Sequence, residues 1–147
     1  MTTVEMMQKR FILYDIGKEI VVILKNGDKI LFEVQKNQWL HGQNSKGQKL
    51  SKDGYANSAY AKMKFNKNPL AGSGNMDLIL TGKTIDSLKV TISSDIINFE
   101  LQSDEHGLIG RFGKEILGLN SEGRFMFIQD YLLKAIYESI NAKTGAK

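Results

Sequence analysis

Apolar positions recur at helical spacing at both ends of this chain and alternate with polar ones between them. From about Thr3 to Leu24, Ile12, Ile16, Ile20 and Ile23 share one helical face, with Lys9, Lys18 and Glu19 on the others. This predicts an amphipathic helix, weakened at Gly17 by about 1 kcal/mol relative to alanine. Residues 20–34 admit two readings. Apolar runs flank Asn26-Gly27, which fits a hairpin. Alternatively, one helix ends at Asn26-Gly27 and another begins with Asp28 as its N-cap.

Residues 38–54 hold Gly42, Asn44, Ser45, Gly47 and Ser51, which is loop chemistry. Tyr55 to Phe65 reads as a short helix. Residues 66–75, with Pro69, Gly72, Ser73 and Gly74, read as a second loop. Mobile loops are expected near 41–54 and 66–75. Thr81 is expected to cap a single helical turn that Ser87 closes. Leu88, Val90 and Ile92 then alternate with polar residues, as do Ile97, Phe99 and Leu101 beyond Ser94-Asp95. That pattern predicts a β-hairpin with one buried and one wet face. Residues 105–120 are irregular, anchored by Ile109, Phe112, Ile116 and Leu117. Ser121 is the expected cap of a last helix whose stripe is Phe125, Ile128, Leu132, Leu133, Ile136 and Ile140, and the tail from Thr144 should fray. The expected fold is α+β. A helical N-terminal region and a C-terminal helix surround a small antiparallel β-sheet, in one domain spanning 1–147.

Length and composition fit that picture. At 147 residues, 41% apolar and 24% charged, the chain can bury a core without metal or disulfide staples. It has no cysteine, so thiolate metal sites and a cysteine nucleophile are excluded. No signal-peptide pattern opens it, and no apolar run is long enough to span a membrane; a cytoplasmic setting is expected. The net charge of +4 is uneven. Lysines 46, 49, 52, 62, 64 and 67 face only Asp53, giving this segment +5 and the rest −1. Lys62, Lys64 and Lys67 are candidate contacts for phosphate or an acidic partner, and a solvated lysine face is the plainer reading. A small basic nucleic-acid-binding module is the alternative function, with Tyr55, Tyr60 and Phe65 suited to base stacking or to the core.

Catalytic chemistry is not visible. Gly82-Lys83-Thr84 has the ending of a phosphate-binding loop, but Asp77 stands where the loop needs its first glycine. His41 and His106 are the only histidines. Asp104-Glu105-His106 are adjacent residues that cannot all converge on one ion from an extended chain. Asn44-Ser45-Lys46-Gly47 lacks the acids of a calcium loop, and no serine has a nucleophile's context. The expectation is a protein without catalysis, cofactor or metal. Trp39, Arg111, Phe112 and Arg124 are candidate assembly-interface residues, since tryptophan, arginine and aromatics are enriched there. For the aromatic ones the core is the competing place.

Leu80-Thr81-Gly82, the hairpin after Ser87-Leu88, Phe112-Gly113 and the Gly123-to-Ile128 helix start resemble the small head–tail connection and tail-completion proteins of tailed phages. Phe125 stands where that pattern has a proline. Asn37-Gln38-Trp39-Leu40, Gly42, Ser45, Gly47, Tyr60-Ala61 and Lys64 resemble the variant found in phages of Bacteroidetes, including crAss-like phages. The resemblance runs from about Ile20 to Ile136 and tips residues 28–40 toward helix. It implies a structural virion protein that forms a ring with copies of itself in the neck or tail. Portal, neck or tail proteins, and passing DNA, would be its neighbours. It implies no catalytic residues.

Overall fold

A computed structural model describes residues 2–51, 53–79, 82–94 and 96–145. The fold is α+β: helices at both ends enclose a two-stranded antiparallel sheet. The first helical run is two helices, α1 (Thr3–Leu13) and α2 (Ile16–Lys25), rather than the single one expected. The break lies at Tyr14-Asp15, where the Asp15 carboxylate accepts from the Lys18 backbone N–H at 3.1 Å and starts α2 as its N-cap. A capping residue followed by a fresh turn outcompetes continuation, and Gly17 sits inside α2.

Asn26-Gly27 joins α2 to α3 (Asp28–Leu40), so the helical reading of 20–34 holds and the hairpin reading does not. Gly27, not Asp28, occupies the cap position. A side chain there would meet the Tyr131 ring at 2.7 Å and the Phe127 ring at 3.1 Å, so close packing requires the glycine. Helix α4 spans Ser58–Lys67, capped by Asn57. The 66–75 segment carries a 3₁₀ turn, Pro69–Ala71, and buries Asn68 and Ala71. The 41–54 segment is tied by a Gln43–Lys49 bridge and by Ser45 N–H donating to the Glu115 carbonyl at 2.7 Å.

After the one-turn helix α5 (Lys83–Asp86), strands β1 (Leu88–Ser93) and β2 (Ile96–Leu101) pair in the register Leu88–Leu101 to Ser93–Ile96. The expected cap Thr81 and the turn residue Asp95 lie outside the described residues. Ser87 does close α5: its hydroxyl donates to the Thr84 carbonyl at 2.9 Å. Lys89 and Glu100 pair across the wet face of the hairpin at 3.7 Å.

A short α6 (Leu108–Phe112) and a 3₁₀ turn (Lys114–Ile116) lead to the last helical unit. It begins as α7 (Ser121–Met126), widens into a π-helical stretch (Phe127–Leu132) and ends as α8 (Leu133–Thr144). Asn120 is its N-cap, accepting from Gly123 N–H at 2.8 Å, where Ser121 was expected. The expected stripe is also corrected. Phe125, Ile128 and Leu133 are exposed, while Phe127 is buried and the Tyr131 hydroxyl donates to the Ile23 carbonyl at 2.9 Å. The i→i+5 bonding of a π-helix widens the turn and rotates the inward face away from its 3.6-residue register. Thr144 is buried at the end of α8, so the expected fraying does not include it.

Two apolar clusters form the core, with α3 reaching both. Trp39, Leu78, Leu88, Leu108 and Ile116 make one. Leu24, Leu31, Leu119 and Phe127 make the other.

Candidate assembly surface

The expected interface residues separate into interior and surface. Trp39 leaves the interface set, because it is 0% exposed and its indole N–H donates to the Ile116 carbonyl at 2.7 Å. Its neighbours on α3 complete a joint that composition did not reveal. Gln35 donates to the same carbonyl at 3.2 Å and accepts from Gly118 N–H at 2.7 Å. Gln38 donates to the Gly118 carbonyl at 3.0 Å and accepts from Asn120 N–H at 2.7 Å. Three side chains on one helical face thus satisfy the irregular backbone from Ile116 to Asn120, as a buried loop requires. The signal was present: Leu31, Gln35, Gln38 and Trp39 share a face by spacing. Glutamine is mostly exposed in proteins, so the pattern read as polar.

Lys64 also leaves the surface set. It is buried on α4, ion-paired with the equally buried Asp77, and it donates to the Ile79 carbonyl. Asn68 donates to the other Asp77 oxygen at 3.0 Å and to the Leu40 carbonyl at 2.8 Å, which ties α3 to this network. Asp77 N–H donates to the Tyr55 hydroxyl at 3.2 Å, and burial pushes the Tyr55 pKa up. Lys62 and Lys67 stay exposed on α4. A buried ion pair survives only when its remaining bonds are satisfied, and here they are. The residue that spoiled the phosphate-loop reading, Asp77, thus organises this wall.

Arg111 and Phe112 are adjacent on α6, the guanidinium 5.2 Å from the Phe112 ring centre. Arg124 lies elsewhere, lining an open groove of about 760 Å³ between β2 and the last helical unit. Ile97, Phe99, Leu119, Phe127 and Ile128 also line that groove, and Lys46, ion-paired with Glu115 at 3.3 Å, stands with them. Among the described residues, no three His, Asp or Glu side chains cluster as a metal would need. Among the same residues, no helix is long and apolar enough to cross a membrane.

The largest feature missed in the sequence is apolar exposure on the terminal helices. Val4, Met6, Ile12 and Leu13 on α1 are exposed, Ile12 at 83%. Ile16 and Val22 on α2 and Leu133 and Tyr137 on α8 are exposed too. So is Phe125 of α7, at 64%. Both α1 and α2 pack on α8. One polar clamp fixes that layer: Glu19 of α2 pairs with Lys143 and accepts from Ser139 at 2.9 Å. These partners, Lys143 first, hold the Glu19 carboxyl below the ordinary glutamate range. The Tyr14 hydroxyl, at the joint of α1 and α2, is buried without a hydrogen-bond partner among the described residues.

Compared with known protein families, with curated proteins and with solved structures, the chain matches none.

Proposed function

We propose that this chain is a structural subunit of a tailed-phage particle, assembled with copies of itself as a ring in the neck or tail. The observation that carries the reading is the balance of apolar surface. Among the described residues sixteen large apolar side chains are exposed, against eleven apolar residues in the buried core. Single exposed apolar residues are ordinary, but their concentration on packed terminal helices marks a surface that another protein covers. A groove at one place and apolar helices at another are different surfaces. Contacts between them are head-to-tail, and such contacts close into a ring when the rotation permits. The resemblance to head–tail connection proteins supplies the phage setting. In this reading Lys62 and Lys67 face passing DNA or an acidic neighbouring ring.

The test has two readouts. Light scattering on the purified chain is expected to give a discrete oligomer whose mass rises with concentration. Mass spectrometry of gradient-purified particles is expected to find its peptides in intact virions. A strictly monomeric chain absent from particles would remove the reading.

A further inference from the structure

The lysine network described above forms one wall of a cleft. The cleft holds about 290 Å³ between α4 and α6, with Tyr55, Tyr60, Lys64, His106, Arg111 and Phe112 in its lining. We propose that it is a nucleotide-binding site: the base stacks on the Tyr55–Tyr60 pair and the phosphate is held by Arg111.

Three observations converge on that ligand. First, the two tyrosine rings meet edge to face, with centres 5.1 Å apart and planes at 81°. Both rings line the cleft, and stacking on aromatic side chains is how bases are commonly held without sequence preference. Second, the wall behind them is preorganised. Lys64, Asp77 and Asn68 lock to one another and to the end of α3, and the Tyr55 hydroxyl is fixed on Asp77 N–H. A site that is rigid before binding loses less entropy on binding.

Third, among the described residues that line the cleft, Asp77 is paired and Arg111 is not. Asp77 is neutralised by Lys64. Asp104 spends its carboxylate on the backbone N–H groups of Leu108 and Ile109, at 2.6 and 3.0 Å. Glu105 pairs with Lys83 at 3.5 Å. Asp86 lines the neighbouring depression with Asp104 and Glu105 rather than this one. Arg111 has only the Phe112 ring against it, and no carboxylate within ion-pair distance among the described residues. Arg111 is exposed, and the planar N–H fork of a guanidinium matches a phosphate. His106 lines both depressions. Asp86, which has no ion pair among the described residues, disfavours a polyanion running into the neighbouring depression, so the ligand is a free mononucleotide or the end of a single strand.

Calorimetry on the full chain distinguishes these cases, using adenosine monophosphate, adenosine and inorganic phosphate as probes, with fluorescence anisotropy for a labelled oligothymidylate. Adenosine monophosphate should bind, with adenosine and phosphate each weaker by about tenfold or more. Arg111→Gln should weaken the monophosphate by about tenfold and leave adenosine unchanged. Tyr60→Ala should weaken both, and Tyr60→Phe should restore them. Oligothymidylate binding with the same dependence on Arg111 and Tyr60 identifies a strand end as the ligand, and its absence identifies the free nucleotide. No heat with adenosine monophosphate, in protein with a wild-type thermal melt, would overturn the proposal. So would an Arg111→Gln variant with unaltered affinity, or inorganic phosphate binding as tightly as the monophosphate. None of these readouts depends on ring assembly.

Discussion

The joint between α3 and residues 116–120 and the layer of α1, α2 and α8 solve the same problem in opposite ways. In the joint, every buried polar group of Gln35, Gln38 and Trp39 has a partner, and the apolar residues around it are sealed. In the terminal layer, apolar side chains stand in solvent, and one buried hydroxyl has no partner among the described residues. The first region is complete within the chain, and we read the second as completed by another one. On that reading, stability lies in the middle of the molecule and assembly is proposed for its ends. Trp39, for which the core was the competing place, and Lys64, expected as a surface contact, both hold the interior together.

The contrast can be broken most strongly at its complete side. Trp39→Ala should cost about 3–5 kcal/mol in chemical denaturation, because it removes a large buried ring and one of the two donors to the Ile116 carbonyl. Asp77→Ala should cost a similar amount, about 3–5 kcal/mol, by leaving the Lys64 ammonium buried and unpaired. Replacing both partners, Lys64→Met with Asp77→Leu, should recover most of that loss, and a double-mutant cycle reads the difference. A smaller effect is expected at Gln35→Ala, about 1–3 kcal/mol, for the unsatisfied Gly118 N–H.

The two regions should also separate by pH. The α3 joint uses only neutral amides and an indole, whereas the α2–α8 clamp uses the Glu19 carboxylate. The Glu19 pKa is lowered by folding, so its contribution is complete above the ordinary glutamate range and is lost as pH falls through the depressed value. Hydrogen exchange should therefore show α8 loosening in acid while α3 stays protected, and Glu19→Gln should remove the difference. The smallest stability effect, within about 0.5 kcal/mol, is expected for Phe125→Ser on the exposed face. That same substitution should lower the oligomer mass in light scattering, which the core variants should change only by unfolding.

Much of the architecture is legible in the sequence. The hairpin was readable because two strict alternations flank a turn, and period-2 patterning over six residues has no helical equivalent. Capping chemistry was partly readable. Asn120, Asp15 and Asn57 are all good caps by type, yet the expected cap of the last helix was its neighbour Ser121, a residue of the same capping chemistry. The lysine-rich segment was readable as a charge surplus, but not its division into one buried and several exposed lysines. That division depends on where Asp77, thirteen residues away from Lys64, comes to rest.

What the sequence determined by itself was local: the helical ends, the hairpin and its register of buried and wet faces, the charge surplus of the middle and the lack of cysteine chemistry. Propensity, periodicity and turn residues act within a few positions, so they can be read in order along the chain. What only the tertiary structure decided was the environment of each polar and aromatic side chain. Gln35 became interior because a backbone segment some eighty residues away needed donors and acceptors. Phe127 rather than Phe125 became the anchor because its ring packs with Leu119 and with Leu24 and Leu31 from a distant part of the chain. Burial is set by long-range packing, and no local pattern encodes which partner will arrive.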